Sequence, residues 1–177
     1  MKKVIKRILY ILLSLVAVIV IFGLILAYLP AESKVKNKGI TPEEAAHLRH
    51  QYTGPHDSLI TTDGVTLFLR RWDPDSMEAA KKDIAVLLFH GITVHSGAYN
   101  MAGVPISAAG YTTFGLDYRG HGLSHGIRGD SPGKERWMGD LGESVKYIKK
   151  LGFKRVIVLG HSLGVASAIC AADTVPN

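Results

Sequence analysis

Gly160-His161-Ser162-Leu163-Gly164 sets a hydroxyl nucleophile between two glycines. The spacing suits a serine on a sharp strand-to-helix turn, where side chains at the flanking positions would clash. Such a turn lifts the hydroxyl above a sheet and aims backbone N–H groups and a helix N-terminus at developing negative charge. The corresponding chemistry is attack of a serine oxygen on an acyl carbon. Alone, the pattern is weak evidence: with 19 glycines in 177 residues, about 0.1 match arises by chance. Its context strengthens it, because Val156-Ile157-Val158-Leu159 reads as a buried strand and Ser162 to Ala172 as a helix.

An oxyanion needs a second donor. His90-Gly91-Ile92 follows another apolar run, Ile84 to Phe89, and so lies where a loop beside the elbow would start. The expected pair is the N–H of Leu163 and the N–H of Ile92, with Gly91 permitting close backbone approach. His90 itself reads as a hydrogen-bonded structural histidine rather than a base.

These residues need a scaffold, and the pattern supplies one. Ile84 to Phe89 is continuous and apolar, as expected of a strand covered on both faces. A helical stretch interrupted by Pro105 follows to about Ala109, then a short strand from Thr112 to Leu116. Trp137, Leu141, Val145, Ile148 and Leu151 mark one face of an amphipathic helix. Strands alternating with helices imply parallel crossovers and an α/β sheet that works at the strands' C-terminal ends. Upstream, Thr41-Pro42-Glu43-Glu44 predicts a capping box and a helix to about Tyr52. Leu59 to Leu69 predicts a β-hairpin turning at Asp63-Gly64.

The N-terminus is different in kind. Ile8 to Leu29 runs 22 residues without a charge, about 33 Å as a helix and long enough to cross a bilayer. Tyr10 and Tyr28 sit near its ends, and Lys2, Lys3, Lys6 and Arg7 precede it, favouring a cytoplasmic N-terminus and an extracytoplasmic globular part. The run exceeds a signal-peptide core and lacks a good small-x-small cleavage site, so an uncleaved anchor is expected over a cleaved leader. The expected domains are a tip and anchor at 1–30, a juxtamembrane linker and short helix at 31–56, and the α/β core at 57–177.

Composition excludes other classes. Seven of the Lys and Arg residues behind the net charge of +6 flank the apolar run; the rest of the chain is near balance and shows no basic stripe, so nucleic acid is excluded as a partner. The single cysteine, Cys170, rules out an internal disulfide and a cysteine-built metal site, and no metal or cofactor is implied.

Taken in order, Asp63-Gly64, His90-Gly91 with His95-Ser96, Asp117-Tyr118-Arg119-Gly120-His121-Gly122-Leu123-Ser124 and Gly160 to Gly164 span about 120 residues. Together they resemble the monoacylglycerol lipase and serine aminopeptidase-like branch of the α/β-hydrolases. The resemblance implies an α/β-hydrolase fold with a mostly parallel sheet flanked by helices. It also implies hydrolysis of a carboxylic ester, of lipid or acylglycerol type given the bilayer anchor, with Ser162 as nucleophile. Within the family pattern, Asp117, Arg119, Gly120, His121 and Gly122 shape the floor of the site, and His90, Gly91, Gly160, His161 and Gly164 support it. Val165 departs from the pattern, which often has a second glycine there.

The family's acid and histidine follow the nucleophile in chain order. Only 15 residues follow Ser162, none of them histidine, and Asp173 lies about three helical turns away. The chain therefore reads as the N-terminal portion of a longer hydrolase, truncated after the nucleophile helix and inactive alone. Two alternatives stay open: an anchored, non-catalytic acyl-binding protein that keeps the fold, and a fragment with no function of its own. Oligomeric state is not legible.

Overall fold

The computed structural model describes residues 2–28, 40–76 and 80–175, in two compact units, Met1–Asn37 and Lys38–Asn177. The linker expected at 31–38 lies outside the described residues.

In the first unit, helix α1 (Lys2–Tyr28) contains the uncharged run. Its apolar side chains from Val4 to Ile25 are exposed, and Lys3–Ile25 is long and apolar enough to cross a membrane. Ser14, its polar residue mid-span, donates its hydroxyl to the Tyr10 carbonyl at 2.8 Å, which removes an unpaired polar group from an apolar surface.

The second unit begins with α2 (Pro42–Gln51). The capping box forms as expected: Glu44 N–H donates to Thr41 Oγ1 at 3.2 Å, and Thr41 N–H donates to the Glu44 carboxylate at 2.7 Å. Strands β1 (His56–Ile60) and β2 (Thr66–Trp72) form the hairpin, and Gly64 takes the left-handed conformation the turn requires, with φ 85°. Then come β3 (Ile84–Phe89), a 3₁₀ turn at Ser96–Tyr99, α3 (Asn100–Ala108), β4 (Thr112–Leu116), α4 (Lys134–Lys150), β5 (Arg155–Gly160) and α5 (Leu163–Thr174). Helix α3 continues through Pro105.

The sheet order is β1-β2-β4-β3-β5. Parallel pairing holds for β3 with β4 and for β3 with β5, as βα crossovers dictate. The hairpin changes the rest: β2 lies antiparallel to β4 as well as to β1, so this part of the sheet is mixed rather than mostly parallel. Inward residues Leu67, Leu69, Leu87, Phe89, Phe114 and Leu116 pack with Leu141, Val145 and Ile148 of α4 and Ala171 of α5. On the opposite face α3 lies so close to the sheet that a side chain at Gly103 would strike the Trp72 indole. Strand β3 is covered on both sides, hence its unbroken apolar run.

Strand β5 is apolar yet is the outer strand among the described residues, and its Ile157 and Leu159 are 48% and 43% exposed.

Candidate active site

The geometry starts at β5. The chain leaves the sheet at Gly160 and enters α5 at Leu163, and Ser162 makes the corner at φ 56°, ψ −122°. It is the only non-glycine with positive φ among the described residues, a conformation that costs an L-residue about 1–3 kcal/mol. Two glycines make the corner sterically possible. A Cβ on Gly160 would overlap the Gly164 carbonyl, and a Cβ on Gly164 would overlap the Phe89 carbonyl of the neighbouring strand. The turn is closed by Gly164 N–H to His161 O (2.9 Å) and Val165 N–H to Ser162 O (3.0 Å). The N–H of Leu163 opens the helix between these two and takes part in neither bond.

The register Phe89↔Gly160 brings the loop after β3 alongside. A Cβ on Gly91 would lie 3.4 Å from Ser162 Cβ, so this glycine keeps the space beside the serine clear. The structure thus brings Ser162, Gly91, Ile92 and Leu163 to one place. A cleft of about 480 Å³, a size typical of small-molecule sites, opens there. Ile92 and Leu163 line it together with Tyr118, His121, Ser131 and Trp137.

His90 is hydrogen-bonded through both ring nitrogens. Its ring is buried; Nδ1 donates to the Gly91 carbonyl at 2.7 Å and Nε2 accepts from Tyr118 N–H at 3.1 Å. An N–H cannot accept, so the second bond fixes a neutral imidazole. Burial pushes its pKa down, with Asp117 opposing. Asp117 is fully buried and carries a loop: its carboxylate accepts from Ser96 N–H (2.6 Å) and Leu123 N–H (2.7 Å). A side chain at Gly122, which has φ 47°, would collide with that carboxylate. Gly120 is pinned in the same way against the Ile127 carbonyl. His121 Nδ1 bonds the Arg119 carbonyl at 3.0 Å, and His95 Nδ1 caps the 3₁₀ turn by accepting from Gly97 N–H at 3.1 Å.

Arg119 makes two two-pronged ion pairs. Its Nε and Nη2 donate to the Asp140 carboxylate on α4 at 2.9 and 2.8 Å, and Nη1 and Nη2 donate to Asp63 in the hairpin turn at 2.8 and 2.9 Å. Hydrogen bonds from Arg119 and Thr61 hold the Asp63 carboxyl well below the usual range. Arg136 joins the network through Asp140 and Glu143. Sequence reasoning assigned Arg119 a structural role without finding its partners; the i,i+4 spacing of Arg136 and Asp140 was the available signal.

Tyr99 was also missed. Its hydroxyl accepts from Gly91 N–H at 3.1 Å and shares a hydrogen bond with His161 Nδ1 at 3.1 Å. No spacing in the sequence points to it, because it meets its partners only through tertiary structure. Among the described residues no histidine bonds the Ser162 hydroxyl: His161 is held by Tyr99, and the other loop histidines bond backbone or stand apart.

Known proteins share this arrangement. Residues 80–177 match the family described as serine aminopeptidase, S33. The chain is 32% identical over 120 residues to a monoacylglycerol lipase of Mycolicibacterium smegmatis, covering 63% of this chain and 39% of that one. It is 32% identical over 99 residues to a carboxylesterase of Bacillus subtilis, covering 53% and 38%. A probable hydrolytic enzyme from Pseudomonas aeruginosa superposes with a TM-score of 0.55 at 22% identity, over 68% of this chain and 38% of that one. Fold and family match define an α/β-hydrolase. The chain belongs to the serine aminopeptidase, S33, family, on the branch that includes monoglyceride lipase homologues. It spans well under half the length of these curated relatives.

Proposed function

We propose that this chain carries the nucleophile and oxyanion hole of a membrane-anchored serine hydrolase acting on carboxylic esters of lipid or acylglycerol type. The observation that supports it is the strained corner: Ser162 at φ 56° between two glycines that admit no side chain, beside a cleft lined by Ile92 and Leu163. A strained non-glycine held by its surroundings is a hallmark of functional sites.

In this reading the Ser162 hydroxyl attacks the ester carbonyl as its proton passes to a histidine base. The N–H groups of Ile92 and Leu163 stabilise the oxyanion; the alcohol then leaves with the proton, and water cleaves the acyl-enzyme. In this reading the base and its acid partner come from outside the described residues, since no described histidine bonds the Ser162 hydroxyl. Helix α1 serves as an anchor with its N-terminus in the cytoplasm, which brings the site to lipid esters.

The test is activity-based labelling of the protein expressed from its complete reading frame. A fluorophosphonate should label Ser162, and Ser162→Ala should abolish both labelling and ester hydrolysis, a loss of about 10⁶-fold. An unlabelled serine with retained acyl-ligand binding would instead favour the non-catalytic alternative.

A further inference from the structure

A second cluster of charged side chains lies outside the cleft just described. Arg49 of α2 meets Arg128 and His125 of the loop between β4 and α4, around a small hollow of about 80 Å³ also lined by Pro42, Ala45 and Ser124. Both guanidinium groups are half-buried. Arg49 Nη1 donates to the Leu123 carbonyl at 2.9 Å and the Ser124 carbonyl at 3.4 Å. Arg128 donates through Nη1 to Ser124 O at 3.1 Å and through Nη2 to Gly122 O at 2.9 Å. All these acceptors are neutral.

What is missing is a direct carboxylate partner. Arg119 and Arg136 each have carboxylate partners, but among the described residues neither Arg49 nor Arg128 forms an ion pair. Among the described residues the nearby acids form no ion pair with either arginine. Asp117 spends its carboxylate on Ser96 and Leu123, Glu44 closes the capping box, and Glu43 is exposed and unpaired. Burial, followed by the charge of Arg128, holds the Arg49 guanidinium below its ordinary pKa; burial, then Arg49, does the same to His125. Burial lowers Arg128 as well, opposed only by the charge of Asp117. Cations drawn from water toward one another with so little counter-charge are unfavourable, and an anion relieves both costs.

We propose that this hollow binds a phosphate group, gripped by Arg49 and Arg128, either as free phosphate or as the headgroup of a phospholipid. At about 30 Å³ per water the space holds two or three waters, room for a compact tetrahedral anion. The Nε and Nη2 of Arg49 and the Nε of Arg128 have no protein acceptor among the described residues, and the guanidinium fork matches phosphate oxygens two at a time. The site is independent of the elbow and of the reaction proposed for it.

Arginine labelling tests this on the full chain in dodecyl maltoside micelles, with phenylglyoxal as reagent and peptide mass spectrometry as readout. Inorganic phosphate about tenfold above its dissociation constant should slow modification of Arg49 and Arg128 about tenfold and leave the exposed Arg155 unchanged. His125→Glu places a carboxylate at the hollow and should abolish that protection. If this variant fails to fold, Arg49→Lys gives the same comparison, read at Arg128. Micelles doped with phosphatidylglycerol or phosphatidylcholine separate the sources: protection by the lipids alone assigns the headgroup, and protection by inorganic phosphate alone assigns the free anion. No protection from either source, equal slowing at Arg155, or protection unchanged in both variants would overturn the proposal.

Discussion

The Tyr99 hydroxyl stands 3.1 Å from His161 Nδ1 and 3.1 Å from Gly91 N–H, so one phenol ties the elbow to the loop that carries Ile92. The two donors of the candidate oxyanion hole belong to segments about 70 residues apart, and this hydroxyl bridges them. Tyr99→Phe leaves the buried Gly91 N–H unpaired, at a cost of about 1–3 kcal/mol. Fluorophosphonate labelling of Ser162 in the protein from its complete reading frame should slow about tenfold, equivalent to about 1.4 kcal/mol. Unchanged labelling would show that the bridge does not set the donors' positions.

The strain at Ser162 has a measurable counterpart. Ser162→Gly removes the penalty for φ 56°, partly offset by the greater freedom of glycine in the unfolded chain. We expect a net gain of about 1 kcal/mol in stability together with complete loss of labelling, read by thermal unfolding and gel fluorescence. A destabilised glycine variant would place the strain elsewhere.

The Arg119 network makes stability acid-sensitive. Asp63 is held below its ordinary pKa by Arg119 first and Thr61 second. In Glu143 burial works against ionisation, but hydrogen bonds from Arg136 and Thr62 outweigh it. Carboxyls depressed in the folded state contribute stability that is complete above their unfolded values, about 4, and is lost as pH falls through the folded ones. The unfolding midpoint should therefore drop below about pH 4, and Asp63→Asn should flatten that decline. Because Asp63 is 41% exposed, added salt should weaken its share. An unchanged acid profile in Asp63→Asn would remove Asp63 from the account.

The proposed anchor predicts behaviour in cells. The uncharged helix within Lys2–Tyr28 should keep the protein in the membrane fraction through a carbonate wash. Release of a soluble form starting near Glu32 would identify a cleaved leader instead.

Much of this was legible from residue types. Strand β3 begins and ends where its apolar run does, because a strand covered on both faces must be apolar throughout. The elbow was legible because only glycine fits at positions 160 and 164. Whether a strand is covered is a property of its neighbours, which residue types do not name: Ile157 and Leu159 of the apolar β5 are exposed among the described residues. The antiparallel pairing of β2 with β4 and the reach of Arg119 to both Asp63 and Asp140 are also products of assembly. They join residues whose separation in sequence carries no period.

The Phe89↔Gly160 register gives the site a folding history. Closing a loop of about 70 residues costs about 4 kcal/mol of chain entropy before the new contacts repay it. The alignment that sets Gly91 beside Ser162 and Gly164 against Phe89 thus arrives with a long-range event rather than with local structure. The site should appear and disappear in step with that pairing. In hydrogen exchange, the amides of β3 and β5 and those of the elbow should open as one cooperative unit. Labelling competence would then report whether β5 has docked on β3.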